Sequence, residues 1–235
     1  ILKNILRKFN RKLVKIKRSP PTTFVHEYPD LNLINSILNS KGILQIGAHR
    51  GMEASVYEWF NKKVIWIEAN PLIYKDLEDN ICNLYGQQAY NYLLGDQNKK
   101  NVNFYLSNND YASSSIFKFS DKVKEKKLWE RLKMKGKIQL NMITLDEFVY
   151  TNKIDISKFN HWIIDAQGSE LQILKGSEKS LEKCKSLYVE VSLDKFYQGD
   201  STTWKELKEF LEKRNFYPIS EPSSSHCDVL FNKKT

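Results

Sequence analysis

Cysteine is scarce in this chain of 235 residues: Cys82, Cys184 and Cys227 lie far apart, are odd in number and form no C-x-x-C pair. A disulfide framework and a cysteine-based zinc site are thereby excluded, and a reducing, cytoplasmic setting is the expectation. Long apolar runs are missing too, since none approaches the roughly 20 residues a membrane-crossing helix needs. The first twenty residues contain no acid, but carry Lys3, Arg7, Lys8, Arg11, Lys12, Lys15, Lys17 and Arg18. Those eight supply nearly all of the net charge of +9 and leave the other 215 residues at +1. The body therefore lacks a spread basic surface, and no nucleic-acid partner is expected.

Among those basic residues Leu2, Ile5, Leu6, Phe9, Leu13 and Ile16 recur at helical spacing, as in a basic amphipathic helix. Two readings stand: contact of residues 1–18 with an anionic membrane surface or a partner domain, or a solvated helical linker. Ser19-Pro20-Pro21 ends this segment, so residues 1–21 read as an arm and 22–235 as one domain. The first residue is Ile rather than Met, and a piece of a longer protein is the expectation. A composition of 41% hydrophobic and 12% aromatic residues suits a single well-filled core.

Residues 43–70 carry the most information. An apolar strand, Ile43-Leu44-Gln45-Ile46, meets the turn Gly47-Ala48-His49-Arg50-Gly51; a helix follows, then Val64-Ile65-Trp66-Ile67 and Glu68. In a βαβ unit this first turn lies where a ligand crosses the sheet edge, and an acid closing the second strand can accept both ribose hydroxyls. The spacing is G-x-x-x-G, neither the dinucleotide G-x-G-x-x-G nor a P-loop with its lysine. A pyrophosphate would be poorly cradled. S-adenosylmethionine, with an amino acid where the phosphates would be, fits better.

Further on, strands alternate with helices: 89–94, 102–106, 138–143, 161–164 and 186–189 read as strands, and 216–220 with 227–231 as a closing pair. Thr144 to Glu147 has capping-box spacing. The pattern predicts one α/β sheet with helices on both faces, seven-stranded with an antiparallel closing strand. Residues 107–137 break the pattern and read as an insertion over the sheet edge, near the acceptor site. Its aromatics Tyr111, Phe117, Phe119 and Trp129 read equally as sugar-stacking faces or as packing. Glu68, Asp165 and Glu190 each fall at a strand end, where side chains converge on one crevice. Asp165 is the first candidate for a base that deprotonates an alcohol, Glu190 the second and His226 the third. A divalent ion bridging Asp165 and Glu190 is the other way to acidify a hydroxyl, and spacing does not choose between them. His49 is expected to shape the cofactor pocket, and His26 and His161 to be structural.

These residues resemble the FkbM family of S-adenosylmethionine-dependent methyltransferases over about Ile43 to Phe231. The carriers are Ile43 to Gly51, Trp66-Ile67-Glu68-Ala69-Asn70-Pro71, Ile143 to Phe148, and Ile164-Asp165-Ala166-Gln167-Gly168-Ser169-Glu170 with Leu174-Lys175-Gly176. The resemblance implies a Rossmann-like methyltransferase sheet and O-methylation of a sugar in a glycan or glycoconjugate, or of another small hydroxylated metabolite. It also implies that Gly47, Ala48 and Gly51 hold the methionine end, Glu68 with Ala69 the ribose side, Asn91 and Tyr92 the adenine side, and that Asp165 lies near the transferred methyl. One departure is Gln45, where the family has an acid; an amide cannot neutralise the cofactor's ammonium, so weaker binding or substitution by Glu53 is expected. Two rivals are an inactive cofactor-binding scaffold and a nucleic-acid-associated module using the basic arm.

Overall fold

A computed structural model describes residues 31–125 and 131–234. The expected arm 1–21, His26 and Trp129 lie outside the described residues. Helix α1 (Leu31–Asn39) leads into β1 (Ile43–Ile46), α2 (Ala54–Trp59), β2 (Val64–Glu68), α3 (Pro71–Ile81) and β3 (Gln87–Asn91). Then come β4 (Leu93–Gly95), β5 (Lys99–Ser107), α4 (Lys122–Glu125), β6 (Met134–Thr144), α5 (Leu145–Thr151) and β7 (His161–Ile164). The chain ends with α6 (Glu170–Lys175), α7 (Glu178–Leu181), β8 (Ser186–Ser192), α8 (Trp204–Glu212), β9 (Phe216–Pro218) and β10 (His226–Lys233).

Seven strands form the main sheet in the order β3-β2-β1-β7-β8-β10-β9. Strands β3, β2, β1, β7 and β8 run parallel, and β10 is antiparallel to both of its neighbours. The expected seven strands and antiparallel closing strand are therefore present. The antiparallel strand is not at the edge, however: β10 slots between β8 and β9. Every residue of β1, β2 and β7 is buried, as central parallel strands covered on both faces should be.

Successive side chains of those strands point to opposite faces. Leu44, Ile46, Ile65, Ile67, Trp162 and Ile164 pack on one side against α5, α6 and α8. Ile43, Val64, Trp66 and Ile163 pack on the other, against α1, α2 and α3. Helix α3 starts where the Asn70 side chain accepts the Leu72 N–H and Pro71 takes the first position, which has no intrahelical partner to lose. Helix α8 has a reciprocal capping box between Thr203 and Glu206. The box expected at Thr144 is only half formed: Thr144 accepts the Glu147 N–H, but the Glu147 carboxylate turns to the Thr151 hydroxyl. His161 is buried with Nδ1 on the Ser186 hydroxyl, and burial pushes its pKa down to about 3, as befits a neutral core residue.

Two differences from the sequence reading shape the site. First, 89–94 is not one strand. Asn91 completes the pairing with β2 and donates its amide to the Glu68 and Ala69 carbonyls, and the chain then leaves for a second sheet, β4-β6-β5. Second, the tail of the 107–137 segment is strand, since β6 begins at Met134. Its Phe117, Phe119, Leu132 and Met134 pack on Val123, Phe196 and Tyr197. Those two phenylalanines are packing, and they fasten the segment across the carboxyl ends of the main strands.

A buried polar link ties the two halves of the βαβ unit. The Trp66 indole donates to Gln87 Oε1 at 2.9 Å, and Gln87 Nε2 donates to the Ala54 carbonyl at 3.0 Å. Gln87→Leu would leave both groups buried and unpaired, and a loss of about 1–3 kcal/mol is expected for each strongly desolvated group. Urea unfolding is the measurement; an unchanged midpoint would show that the link contributes nothing.

Candidate active site

The turn after β1 is built against β2. Gly47 N–H and Ala48 N–H both donate to the Ile67 carbonyl, and His49 N–H donates to Glu68 Oε2 at 2.8 Å. Gly47 has φ +77, and a Cβ there would lie 1.7 Å from the Asp165 carbonyl oxygen. Only glycine permits that approach, which brings the ends of β1 and β7 together. Glu68 is buried; its other oxygen accepts the Asn70 N–H at 2.7 Å. Burial raises its pKa, and those two N–H groups pull it back down. A carboxylate offers about four acceptor sites, so Glu68 keeps acceptor capacity beyond these N–H groups for a ligand hydroxyl.

Glu68 lines a cavity of about 270 Å³ with Gly47, His49, Ala69, Tyr92 and Asp165 among the walls. Ile46, Ile67, Leu93, Leu94, Phe104 and Ile173 supply apolar walls, and among the described residues no lysine or arginine lines it. A carboxylate, an apolar slot and no phosphate-holding cation fit a nucleoside without phosphates, and so fit S-adenosylmethionine. Of the residues expected at the cofactor, Gln45, Ala48, Gly51 and Asn91 do not line this cavity. Gly51 faces Leu77 of α3, where a Cβ would meet its Cδ1 at 2.6 Å. Gln45 is buried on the α2 side, accepting from the Tyr57 hydroxyl at 2.8 Å and donating to Glu53 at 3.3 Å. Glu53, the expected substitute acid, is thus Gln45's partner.

A second cavity of about 500 Å³ adjoins the first, lined by Asn108, Asn109, Ala112, Ser113, Arg131, Leu132, Asp165, Gln167, Glu190 and His226. Asp165 and Gln167 belong to both. The three candidate catalytic residues therefore meet here, whereas Glu68 faces only the first cavity. Glu190 is inside β8 rather than at its end, because β10 pairs with β8 as far as Ser192.

Their link is Gln167, whose role the sequence did not announce beyond its place two residues after Asp165. Its Nε2 donates to Asp165 Oδ1 at 2.5 Å and to Glu190 Oε1 and Oε2 at 2.9 and 3.1 Å. The Tyr197 hydroxyl donates to Gln167 Oε1 at 2.6 Å and so fixes which end of the amide faces the acids. His226 places Nε2 2.8 Å from Glu190 Oε1 and Nδ1 2.8 Å from the Ser192 hydroxyl, so both ring nitrogens are engaged. Glu170 accepts the Ala166 and Gly168 N–H groups, both at 3.0 Å, and holds the loop that carries Asp165 and Gln167.

Burial, then the charges of Glu190 and Asp228, push the Asp165 carboxyl well above the usual carboxylate range. Asp165 is nonetheless open to solvent in the cleft while lying deep among protein atoms, so water tempers the desolvation and the neighbouring charges weigh more than burial alone suggests. Glu190, whose side chain is only 11% exposed, is also raised well above the usual range, by burial and then by Glu170 and Asp228. Among the described residues no group of three or more His, Cys, Asp or Glu is arranged to hold a metal ion. Between Asp165 and Glu190, where a bridging cation would sit, stands the Gln167 amide, a donor.

A parallel sheet with one inserted antiparallel strand, and a nucleoside-shaped cavity at the carboxyl ends of β1 and β2, define a Rossmann-like class I methyltransferase fold. Residues 45–218 match the family model described as the methyltransferase FkbM domain, and the chain belongs to that family. No curated protein matches the chain. Among solved structures, an Aquifex aeolicus SAM-dependent methyltransferase is similar at 9% identity and TM-score 0.48, covering 90% of this chain and 93% of that one. M. capricolum TrmK with S-adenosyl-homocysteine is similar at 14% identity and TM-score 0.43, covering 87% and 68%. Magnesium protoporphyrin IX methyltransferase from Synechocystis with bound SAM is similar at 8% identity and TM-score 0.42, covering 86% and 74%.

Gln45→Asp tests the placement of Gln45. A carboxylate there would meet that of Glu53 and lose the amide donor, so a loss on the order of 1–3 kcal/mol of stability is expected. Affinity for S-adenosylhomocysteine should stay within about threefold. Calorimetric tightening by tenfold or more would put position 45 in the cofactor site after all.

Proposed function

We propose that this chain is an S-adenosylmethionine-dependent O-methyltransferase acting on a sugar hydroxyl in a glycan or glycoconjugate. The observation that carries this reading is the shared wall: Asp165 and Gln167 line both the nucleoside-shaped cavity and the polar cleft beside it. When bound, S-adenosylmethionine supplies a methyl group already activated on a sulfonium. What the protein then has to provide is placement and a site for one proton. Orientation of two bound reactants contributes on the order of 7–11 kcal/mol, and a positioned base about 100- to 10,000-fold in rate.

Glu68 takes the ribose hydroxyls on its free acceptor sites. Asp165, at the border of the two cavities, accepts the proton of the acceptor hydroxyl. Gln167 fixes one Asp165 oxygen and leaves Oδ2 for that task, and Tyr197 holds the amide in this sense. Glu190 and His226 sit behind as the group that tunes Asp165's charge; His226, bonded at both nitrogens, positions Glu190 and is not itself the base. The cleft suits a multiply hydroxylated acceptor because Asn108, Asn109 and Ser113 line it. Of the insertion's described aromatics, Phe117 and Phe119 pack on the Phe196–Tyr197 cluster and Tyr111 lines the first cavity.

Asp165→Asn tests the base and its environment together. Transfer to an acceptor should fall by about 100-fold or more. The native carboxyl holds its proton to higher pH than the unfolded one, so wild-type stability declines as pH rises from the ordinary carboxylate value of about 4 through the raised native value. The amide variant lacks that decline. Its Tm should match wild type near pH 4 and exceed it at pH 8 by about 2–4 °C, the effect of roughly 1 kcal/mol in a chain this size after allowing for water in the open cleft. Undiminished methyl transfer would remove Asp165 from the chemistry, and a lower Tm at pH 8 would overturn the charge argument.

A further inference from the structure

We infer that the acceptor carries an anionic group, a carboxylate or a phosphate, close to the hydroxyl that reacts, and that Arg131 in the acceptor cleft holds it. The inference rests on reading this cleft as the acceptor site. Its lining is polarised: Asp165, Gln167 and Glu190 form one part, and Arg131 with Asn108 and Asn109 another. Arg131 is exposed, and among the described residues no carboxylate lies within ion-pair distance of its guanidinium. Five N–H donors in a fixed fork therefore remain for a ligand, a geometry that matches carboxylate and phosphate oxygens.

The backbone at Arg131 is anchored to the cleft wall. Asn108 Nδ2 donates to the Arg131 carbonyl at 2.9 Å, Lys133 N–H donates to Asn108 Oδ1 at 2.9 Å, and Asn108 N–H donates to the Lys133 carbonyl at 3.0 Å. Beyond it Lys133, Lys135 and Lys137 alternate along the strand and are exposed, while Leu132 and Met134 between them pack on the Phe196–Tyr197 cluster. Lys135 Nζ lies 3.6 Å from the ring centre of Tyr111, which itself lines the cofactor cavity. The carboxylate that feels Lys135, Asp110, is already paired with Arg50. Arg131 is thus the cation in a lining that also holds the carboxyls of Asp165 and Glu190.

That polarity gives a bound acceptor a direction. An anion at the floor would meet Asp165 and Glu190, whereas at Arg131 it meets a free guanidinium, so repulsion and attraction select the same pose. The hydroxyl is then left at Asp165. A sugar acid and a sugar phosphate both satisfy this chemistry.

Calorimetry on protein saturated with S-adenosylhomocysteine, using trigalacturonate, glucose 6-phosphate and maltotriose as probes, tests the inference. At least one anionic probe should bind ten times or more tightly than maltotriose, and which one does so tells carboxylate from phosphate. Arg131→Ala should weaken that binding by about ten- to a hundredfold, with Arg131→Lys in between and the affinity for S-adenosylhomocysteine unchanged. Maltotriose binding as well as either anion, no anion binding at all, or anion affinity indifferent to Arg131→Ala would each overturn it. If S-adenosylhomocysteine itself gives no saturable heat, the cofactor reading of the first cavity falls, and this inference with it.

Discussion

Four carboxyls crowd the carboxyl ends of β7 and β8 and the amino end of the antiparallel β10, and the site depends on how their charge is contained. Asp228 stands directly across from Glu190 in the antiparallel ladder, an arrangement in which like charges repel. Asp165 and Glu170 add two more from the loop after β7. The fold answers each differently. Glu170 is held by backbone N–H groups, Glu190 faces His226, and Asp165 and Glu190 share the Gln167 amide. Desolvation alone would make such a cluster costly. Its cost is tolerated where it leaves a carboxyl with a raised pKa open to a cleft, the condition for accepting a proton near neutral pH.

Glu68 solves the opposite problem. It is as deeply placed, but two backbone N–H groups point at its oxygens because the Gly47 turn folds back on β2. The same turn needs glycine so that the Asp165 carbonyl can close in. One backbone geometry therefore fixes the ribose-side carboxylate and the candidate base relative to each other. The segment 108–117 completes both cavities: Arg50 pairs with Asp110, His49 Nε2 meets the Asp110 carbonyl at 2.9 Å, and the Ser115 hydroxyl donates to the Gln167 carbonyl at 2.7 Å. The cover over the cleft is tied to the glycine turn at one end and to the Asp165 loop at the other.

Much of this was legible in the sequence, and the reasons are local. The uninterrupted apolar runs at 43–46, 64–67 and 161–164 announce central parallel strands, and Pro71 after Asn70 announces a helix start. Asp165, Glu190 and His226 line one cleft, but only Asp165 does so from a strand end: Glu190 lies inside β8 and His226 opens the antiparallel β10. Gln45, Ala48 and Gly51 of the glycine-turn pattern, and Asn91 at the end of β3, do not line the first cavity, which depends on which way a side chain points. The split at Tyr92 and the insertion of β10 between β8 and β9 were not legible, because they are decided by which distant strand each segment pairs with. Gln167 escaped for a related reason: an amide signals nothing by itself until two acids and a tyrosine hydroxyl from three other segments surround it.

The position of Gln167 also explains why donor and acceptor sites cannot be tuned separately. Its carbonyl end is set by Tyr197, its amide end by both acids, and its backbone, at φ +54, by the loop that Glu170 holds. Left-handed backbone at a non-glycine residue costs on the order of 1–3 kcal/mol and persists only where surroundings over-determine it. Here the surroundings are the walls of two cavities. A change that relaxed this residue would shift Asp165 against the nucleoside cavity and against the cleft at once. The strain is thus located at a residue that lines both cavities and, on the function proposed above, couples placement of the methyl donor to removal of the acceptor's proton.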